Sequence, residues 1–280
     1  MSDRPRILLT GATGQVGWEL RRTLAPLGEI VVPQREAFDL ARPETLRAIV
    51  LALRPAVVVN AAAYTAVDAA ESDGDAAHRV NAVAPGMLAG AAAEIGALMV
   101  HFSTDYVFDG SASRPYREDD ATAPLGVYGG TKRDGERAVA AAGGAHLVFR
   151  TSWVYGLRGH NFLRTILRLA GERDGLRVVD DQHGAPTWSR MVAGATAAVL
   201  ARCAGDGRFA LPAGTGGLYH LTAADATTWC GFARAIVEGV PSLAERRVRV
   251  DAIPSAEFPT AARRPASSVL DCGRLARHFA

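Results

Sequence analysis

Short apolar runs alternate with amphipathic stretches through the first half of the chain. Ile7–Thr10, Ile30–Pro33, Val57–Asn60, Leu98–Ser103 and Leu147–Arg150 are each bounded by Gly, Pro or polar residues. Continuous apolar runs of this kind suit strands buried on both faces. Between them, Gln15–Ala25, Pro43–Leu53, Ala76–Ile95 and Val127–Ala142 carry helical patterning. Regular strand–helix alternation predicts an α/β protein with a parallel sheet covered on both sides. Right-handed crossovers make that sheet doubly wound, with ligands bound at the carboxyl ends of its strands. After Arg150 the pattern loosens. Helices are predicted at Phe162–Ala170, Ser189–Arg202 and Thr228–Val237, separated by longer Gly- and Pro-rich loops, with Gly214–Gly217 as a flexible turn. The expected division is a nucleotide-binding (Rossmann) domain over 1–150 and a smaller, mainly substrate-binding lobe over 151–280, with segments exchanged between the two.

Composition narrows the class. The chain has 280 residues, 49% of them hydrophobic and 21% charged, with a net charge of +2. That balance supports a globular core and gives no basis for a nucleic acid polymer or a membrane as partner. No apolar run approaches the length of a membrane span. The N-terminus enters a strand directly, with no signal-like segment, so a cytoplasmic protein is expected. Cys203, Cys230 and Cys272 are widely spaced and without a metal-binding pattern, which points to reduced structural thiols and to no metal site. Of the 31 basic residues only Lys132 is a lysine; all the others are arginine. A chain that otherwise uses arginine throughout has a chemical reason to keep one lysine.

Gly11-Ala-Thr13-Gly14-Gln15-Val16-Gly17 follows the first strand and opens a helix. Glycines there permit a tight turn and let backbone N–H groups approach a pyrophosphate at the helix N-terminus. Gly17 lets the helix pack closely on the sheet. The second strand runs into Pro33-Gln34-Arg35, where an acid commonly holds a ribose 2′-hydroxyl. Arg35 suits a 2′-phosphate instead, which favours NADPH over NADH while leaving both open. Asp39 and Leu40 are placed to flank the adenine, and the small residues Ala62 and Ala63, with Tyr64, to let the cofactor lie close after the third strand.

Tyr128 and Lys132 stand four residues apart on a predicted helix and so project from one face. With 6 tyrosines in 280 residues, a single lysine lands four after one by chance about 2% of the time. A free phenol with a pKa of about 10 is a slow proton donor near neutrality. A neighbouring ammonium is expected to bring it down, which suits reduction of a ketone, whose oxygen gains a proton as hydride arrives. Arginine would substitute poorly, being bulky and planar where lysine is a compact point charge. Thr104, at the carboxyl end of the fourth strand, can hydrogen-bond a substrate carbonyl and set its angle.

These residues resemble the dTDP-4-dehydrorhamnose reductases of the extended short-chain dehydrogenase/reductase type. The resemblance rests on GATGQVGWEL at Gly11–Leu20, NAAAYTAVDAAE at Asn60–Glu71, STDYVFDG at Ser103–Gly110 and YGGTK at Tyr128–Lys132. It continues through RTSWVYG at Arg150–Gly156, DQHGAPT at Asp181–Thr187 and a late Arg264-Pro265…Leu270-Asp271 element. It implies NAD(P)H-dependent reduction of the C4 ketone of dTDP-4-dehydro-L-rhamnose to dTDP-L-rhamnose. Tyr128 would be the proton donor, Lys132 its partner and ribose anchor, and Thr104 the hydrogen bond to the carbonyl. Asp105 and Trp153 would hold the sugar, with Asn161 and the Asp181–Thr187 loop nearby. The family commonly continues into a further helix with a Leu-Pro-x-Trp element, and this chain stops at Ala280. Some members are magnesium-bridged dimers; no acidic cluster here suggests that metal, and a homodimer is left open. Related dehydratases carry Glu after the Thr-Asp pair, where this chain has Tyr106. Two alternatives stand beside the reductase: a sugar-nucleotide epimerase, which holds its cofactor tightly, and a non-catalytic NADP-binding regulatory subunit.

Overall fold

The computed structural model describes residues 4–205 and 207–280; Met1–Asp3, the head of the segment expected to lead into the first strand, lie outside the described residues. Five parallel strands form in the first half: β1 (Arg6–Thr10), β2 (Glu29–Val31), β3 (Val57–Asn60), β4 (Leu98–Thr104) and β5 (His146–Thr151). Two more follow, β6 (Gly175–Val179) and β7 (Gly217–His220), and then β8 (Arg249–Ile253). The central sheet has six strands in the order β7-β5-β4-β3-β1-β2, all parallel. Its strand order reverses direction beside β1, which opens a crevice at the carboxyl ends of β1 and β3.

Side chains alternate across the sheet, and this alternation builds two cores. Ile7, Leu9, Val57 and Val59 face helices α1 (Gln15–Thr23) and α6 (Ser189–Cys203), meeting Leu20, Leu24, Val192 and Leu200. Leu8, Val58, Met99 and Val148 face the other way, against Val50 of α2 (Leu46–Leu53), Leu88 of α3 (Ala84–Glu94) and Val139 of α4 (Val127–Ala141). A third cluster joins the parallel pair β6 and β8 to α5 (Phe162–Glu172) and α7 (Trp229–Glu238). Residues beyond 150 thus serve both bodies: β7 completes the central sheet and α6 covers one of its faces, while α5, α7, β6 and β8 pack together.

Several element boundaries differ from expectation. The second strand stops at Val31, two residues short of Pro33, which has no N–H to give a sheet. Gly217 is not turn but the first residue of β7, at φ +117°. The long helix expected over Ala76–Ile95 is three pieces: Gly74–His78, a π-helical turn at Arg79–Val83, and α3. Pro85 explains the break, since it cannot donate to the carbonyl of Asn81 and its ring excludes the regular geometry. That carbonyl is instead met by α4 at Gly135, where a Cβ would stand 2.0 Å from Asn81 O. Among the described residues, no helix is long and apolar enough to cross a membrane.

Candidate active site

The site begins where β1 ends. Gly11 sits at φ +66°, and a Cβ there would lie 2.5 Å from the Ala61–Ala62 backbone at the end of β3. A Cβ at Gly17 would lie 2.1 Å from Gly11 O. Only glycine fits these two positions, so the turn is pressed into the crevice between β1 and β3. Thr13 and Gly14 are exposed, Gln15 and Val16 partly so, and Gly14 caps α1 with no side chain over its N-terminus. Free N–H groups at such an end suit a phosphate. Leu40 and Ala62 share one apolar cluster. Asp39 is turned to its own loop, accepting from the N–H of Ala41 at 2.9 Å. Arg35 is exposed just beyond β2, and Ala63 is partly buried. The backbone of Tyr64 is clamped from both sides by Asn81, whose Oδ1 accepts from Tyr64 N at 2.8 Å and whose Nδ2 donates to Tyr64 O at 3.0 Å. Asn81 also donates to Thr131 of α4 at 3.1 Å, so the broken helix ties the crevice beside β3 to the helix that bears Tyr128 and Lys132.

The second half of the chain closes over the glycine turn. Gln15 Nε2 donates to Val154 O at 3.3 Å, and Asn161 Nδ2 donates to Gln15 Oε1 at 2.8 Å. Asn161 also caps α5, its Oδ1 accepting from Arg164 N at 3.1 Å. Expected beside the sugar, Asn161 is buried with its amide engaged by Gln15, Gly156 O and Arg158 O. Arg158 lies 3.7 Å over the ring of Trp18 and donates to Thr13 O.

Chemistry gathers at the end of β4. Thr104 Oγ1 accepts from Tyr106 N at 3.2 Å and donates to Asp105 Oδ1 at 3.0 Å. Tyr128 stands at the start of α4, close enough to Thr104 for that hydroxyl to draw its pKa down. Tyr106 meets Tyr128 edge to face, ring centres 6.0 Å apart. The outcome for Tyr128 differs from expectation. Burial is the largest influence and, with the Asp105 charge, pushes its phenol up to about 12. The amine of Lys132 donates to Phe102 O at 2.6 Å and lies 3.3 Å from His101 Nε2. Burial lowers Lys132 to about 8, against the pull of Glu136. Taking an amine out of water disfavours its charge, yet at about 8 Lys132 is still mainly an ammonium near neutral pH. Asp105, almost wholly buried, is raised to about 6 by burial, while Ser268, Ser152 and Thr104 hold it back with hydrogen bonds. The Ser152 bond measures 2.9 Å.

Trp153 stands at φ +46°, a strained setting for a bulky residue. Its indole stacks on Trp229 at 3.5 Å with a 6° interplanar angle. A Cβ on Gly184 would lie 2.4 Å from that indole, so the His183–Gly184 strand presses directly on it. Trp229, Ser152, Asn81 and His101 escaped the sequence reading. Ser152 lies inside the quoted RTSWVYG segment without a role assigned to it, and His101 just before STDYVFDG, whereas Trp229 and Asn81 carry no local signal and arrive through tertiary contact.

A glycine turn opening a helix after β1, with a hydroxyl pair and a buried lysine at the end of β4, defines a Rossmann-fold oxidoreductase of the short-chain dehydrogenase/reductase type. Comparison with known proteins agrees with this class. The chain belongs to the RmlD substrate binding domain family, which it matches over residues 5–280. A dTDP-4-dehydrorhamnose reductase of Burkholderia thailandensis is 55% identical over 278 residues, covering 98% of this chain and 93% of that one. The crystal structure of a Clostridium acetobutylicum dTDP-4-dehydrorhamnose reductase superposes with a TM-score of 0.88 at 36% identity, covering 97% of this chain and 92% of that one. That of the Bacillus anthracis enzyme in complex with NADP gives 0.84 at 31% identity, covering 99% of each chain.

Proposed function

We propose that this protein reduces the C4 ketone of dTDP-4-dehydro-L-rhamnose to dTDP-L-rhamnose at the expense of NADPH or NADH. The observation that carries the reading is the buried cluster at the end of β4, where Tyr128 stands edge to face with Tyr106 beside Thr104, and Lys132 donates to Phe102 O, next to the crevice that holds the glycine turn. The close-fitting Gly11 and Gly17, with the uncapped N-terminus of α1, suit a dinucleotide pyrophosphate. Leu40, Ala62, Ala63 and the clamped Tyr64 backbone would line its adenosine side. Exposed Arg35 favours the 2′-phosphate of NADPH. When bound, the dinucleotide supplies the hydride.

The chain's own residues manage the proton. Tyr128 holds its proton firmly, as an acid must until the ketone oxygen becomes basic. As charge develops on that oxygen, the phenol O–H donates to it, and Thr104, turning its hydroxyl hydrogen away from Asp105, gives a second hydrogen bond that fixes its position. Lys132 then stabilises the phenolate left behind, one helical turn away. Asp105 and the rigidly stacked Trp153 would orient the sugar.

The test is turnover with the dTDP-ketosugar and each reduced cofactor, followed by loss of reduced-nicotinamide absorbance and identification of the sugar product. A faster reaction with NADPH is expected. Cofactor binding with no reduction of the ketosugar would overturn the proposal in favour of a regulatory subunit, and stoichiometric co-purifying NAD would favour an epimerase.

A further inference from the structure

The glycine turn carries no charge of its own. Residues 11–17 offer Thr13 and Gln15 as polar side chains and contain no basic residue. A dinucleotide pyrophosphate is a dianion, and a helix N-terminus presents only about half of one positive charge. A cation beside the turn would add charge-assisted hydrogen bonds that the backbone cannot supply. Most basic side chains are elsewhere. Lys132 is buried at the end of β4 on Phe102 O. Arg21 and Arg22 stand in the last turn of α1, away from its N-terminus. Arg158 is the exception.

Arg158 arrives from the second half of the chain, on residues 156–161 between the short strand Val154–Tyr155 and α5. That segment is strapped onto the turn. Gln15 donates to Val154 O, and Asn161 donates to Gln15 Oε1. Gly159 takes φ +73°, and a Cβ on it would stand 3.3 Å from Gln15 Cγ. Within the strap, Asn161 Nδ2 donates to Gly156 O at 2.8 Å and to Arg158 O at 3.2 Å, and Arg164 Nη1 donates to Gly159 O at 2.8 Å. The backbone that carries Arg158 is therefore pinned, and its side chain is aimed. The guanidinium lies 3.7 Å over the centre of the Trp18 ring, and its Nε donates to Thr13 O at 3.3 Å. Trp18 itself is one helical turn past Gly14, its N–H donating to Gly14 O. The acid beside Trp18, Glu19, is paired with Arg22. Among the described residues, no carboxylate pairs with Arg158, and its two terminal nitrogens donate to none of them.

We propose that Arg158 is a cofactor-binding residue: anchored through Nε on Thr13 O, its terminal nitrogens supply the cation for the pyrophosphate held at the glycine turn. A guanidinium presents a planar fork of donors, which matches phosphate oxygens. The inference rests on the reading of the turn as a dinucleotide site, and it adds a contact from the half of the chain that is expected to hold the sugar. Arg158 is exposed, so its attraction is weakened by salt.

The nucleotide sugar also carries a pyrophosphate, so the test separates the two sources. Isothermal titration calorimetry is run on the parent and on Arg158→Met with NADPH, NADH, ADP-ribose and dTDP. The first three share the dinucleotide-type pyrophosphate, and only NADPH bears a 2′-phosphate. Their Kd values should rise by one common factor of about tenfold, with dTDP unchanged. A loss confined to NADPH would assign Arg158 to the 2′-phosphate, a loss confined to dTDP would assign it to the sugar nucleotide, and no loss would leave it as packing on Trp18. Each of these overturns the proposal. Salt separates charge from mere support of the strap: the parent's Kd for ADP-ribose should climb more steeply with ionic strength than that of Arg158→Met. Parallel slopes would overturn the proposal even if the variant also melts earlier. Arg158→Lys, which keeps the charge and loses the fork, should bind between the two; a lysine variant as weak as Arg158→Met counts against a charge contact. Turnover is measured separately. A protein that binds dinucleotides through Arg158 but leaves the ketosugar unreduced would sink only the reductase reading. An active one whose Arg158→Met variant binds all three normally would sink only this assignment.

Discussion

Arg150→Met probes how the sheet holds α4, the helix that bears Tyr128 and Lys132. Arg150 and Ser103 are register partners on β5 and β4, and both bind Glu136, which projects from α4 one turn after Lys132. Arg150 is 3% exposed and Glu136 8%, so this is a desolvated, two-pronged ion pair. Replacing an entire buried pair by apolar residues can be neutral, whereas removing one partner strands a buried charge at about 3–5 kcal/mol. At about 2–4 °C of melting temperature per kcal/mol for a chain of this order, Arg150→Met should melt roughly 6–20 °C below the parent. The assay is thermal unfolding followed by circular dichroism on Arg150→Met, Glu136→Gln and the double variant. Most of the loss should be recovered when Glu136→Gln is added, because the stranded carboxylate is then gone. A shift of less than about 2 °C, or a double variant no better than Arg150→Met, would refute the reasoning that burial of the unpaired charge dominates.

Four further outcomes are expected. Tyr128→Phe should lower kcat by about 10²-fold or more while cofactor affinity, measured by fluorescence titration, changes little. Lys132→Arg should also be poor, since a planar guanidinium cannot replace an amine between Phe102 O and His101; near-normal turnover would contradict this. Gly17→Ala should weaken NADPH binding and stability together, because its Cβ meets Gly11 O at 2.1 Å; unchanged binding isotherms would count against the packed turn. Asp105, raised in the fold to about 6 from an ordinary value of about 3.9, binds its proton more tightly folded than unfolded. It therefore weakens the fold as pH rises from about 4 to about 6 and beyond. Parallel melts should show the parent losing ground to Asp105→Asn across that window, and the opposite trend would be decisive against it.

Much was legible along the chain because it rests on local pattern. The apolar runs at Ile7–Thr10, Val57–Asn60 and Leu98–Ser103 announced buried parallel strands, and the glycines at 11, 14 and 17 announced the turn. The four-residue spacing of Tyr128 and Lys132 was enough to place both on one helix, and the solitary lysine proves to be buried. Where local pattern met a covalent constraint it misled: Pro85 split one predicted helix around a π turn, and Pro33 shortened a strand.

Tertiary structure decided the rest, because electrostatics depends on what surrounds a group and not on its neighbours in sequence. No spacing says that burial outweighs the pull of an amine on the Tyr128 phenol, or that Lys132 faces Phe102 O and an imidazole. Nor does any local signal bring Trp229 beneath Trp153, Asn161 onto Gln15, or Arg150 onto Glu136. The sequence by itself determined the layered fold, the glycine turn and the chemical types available. Only the folded chain decided their protonation and their partners, since both follow from desolvation and from contacts between residues scores of positions apart.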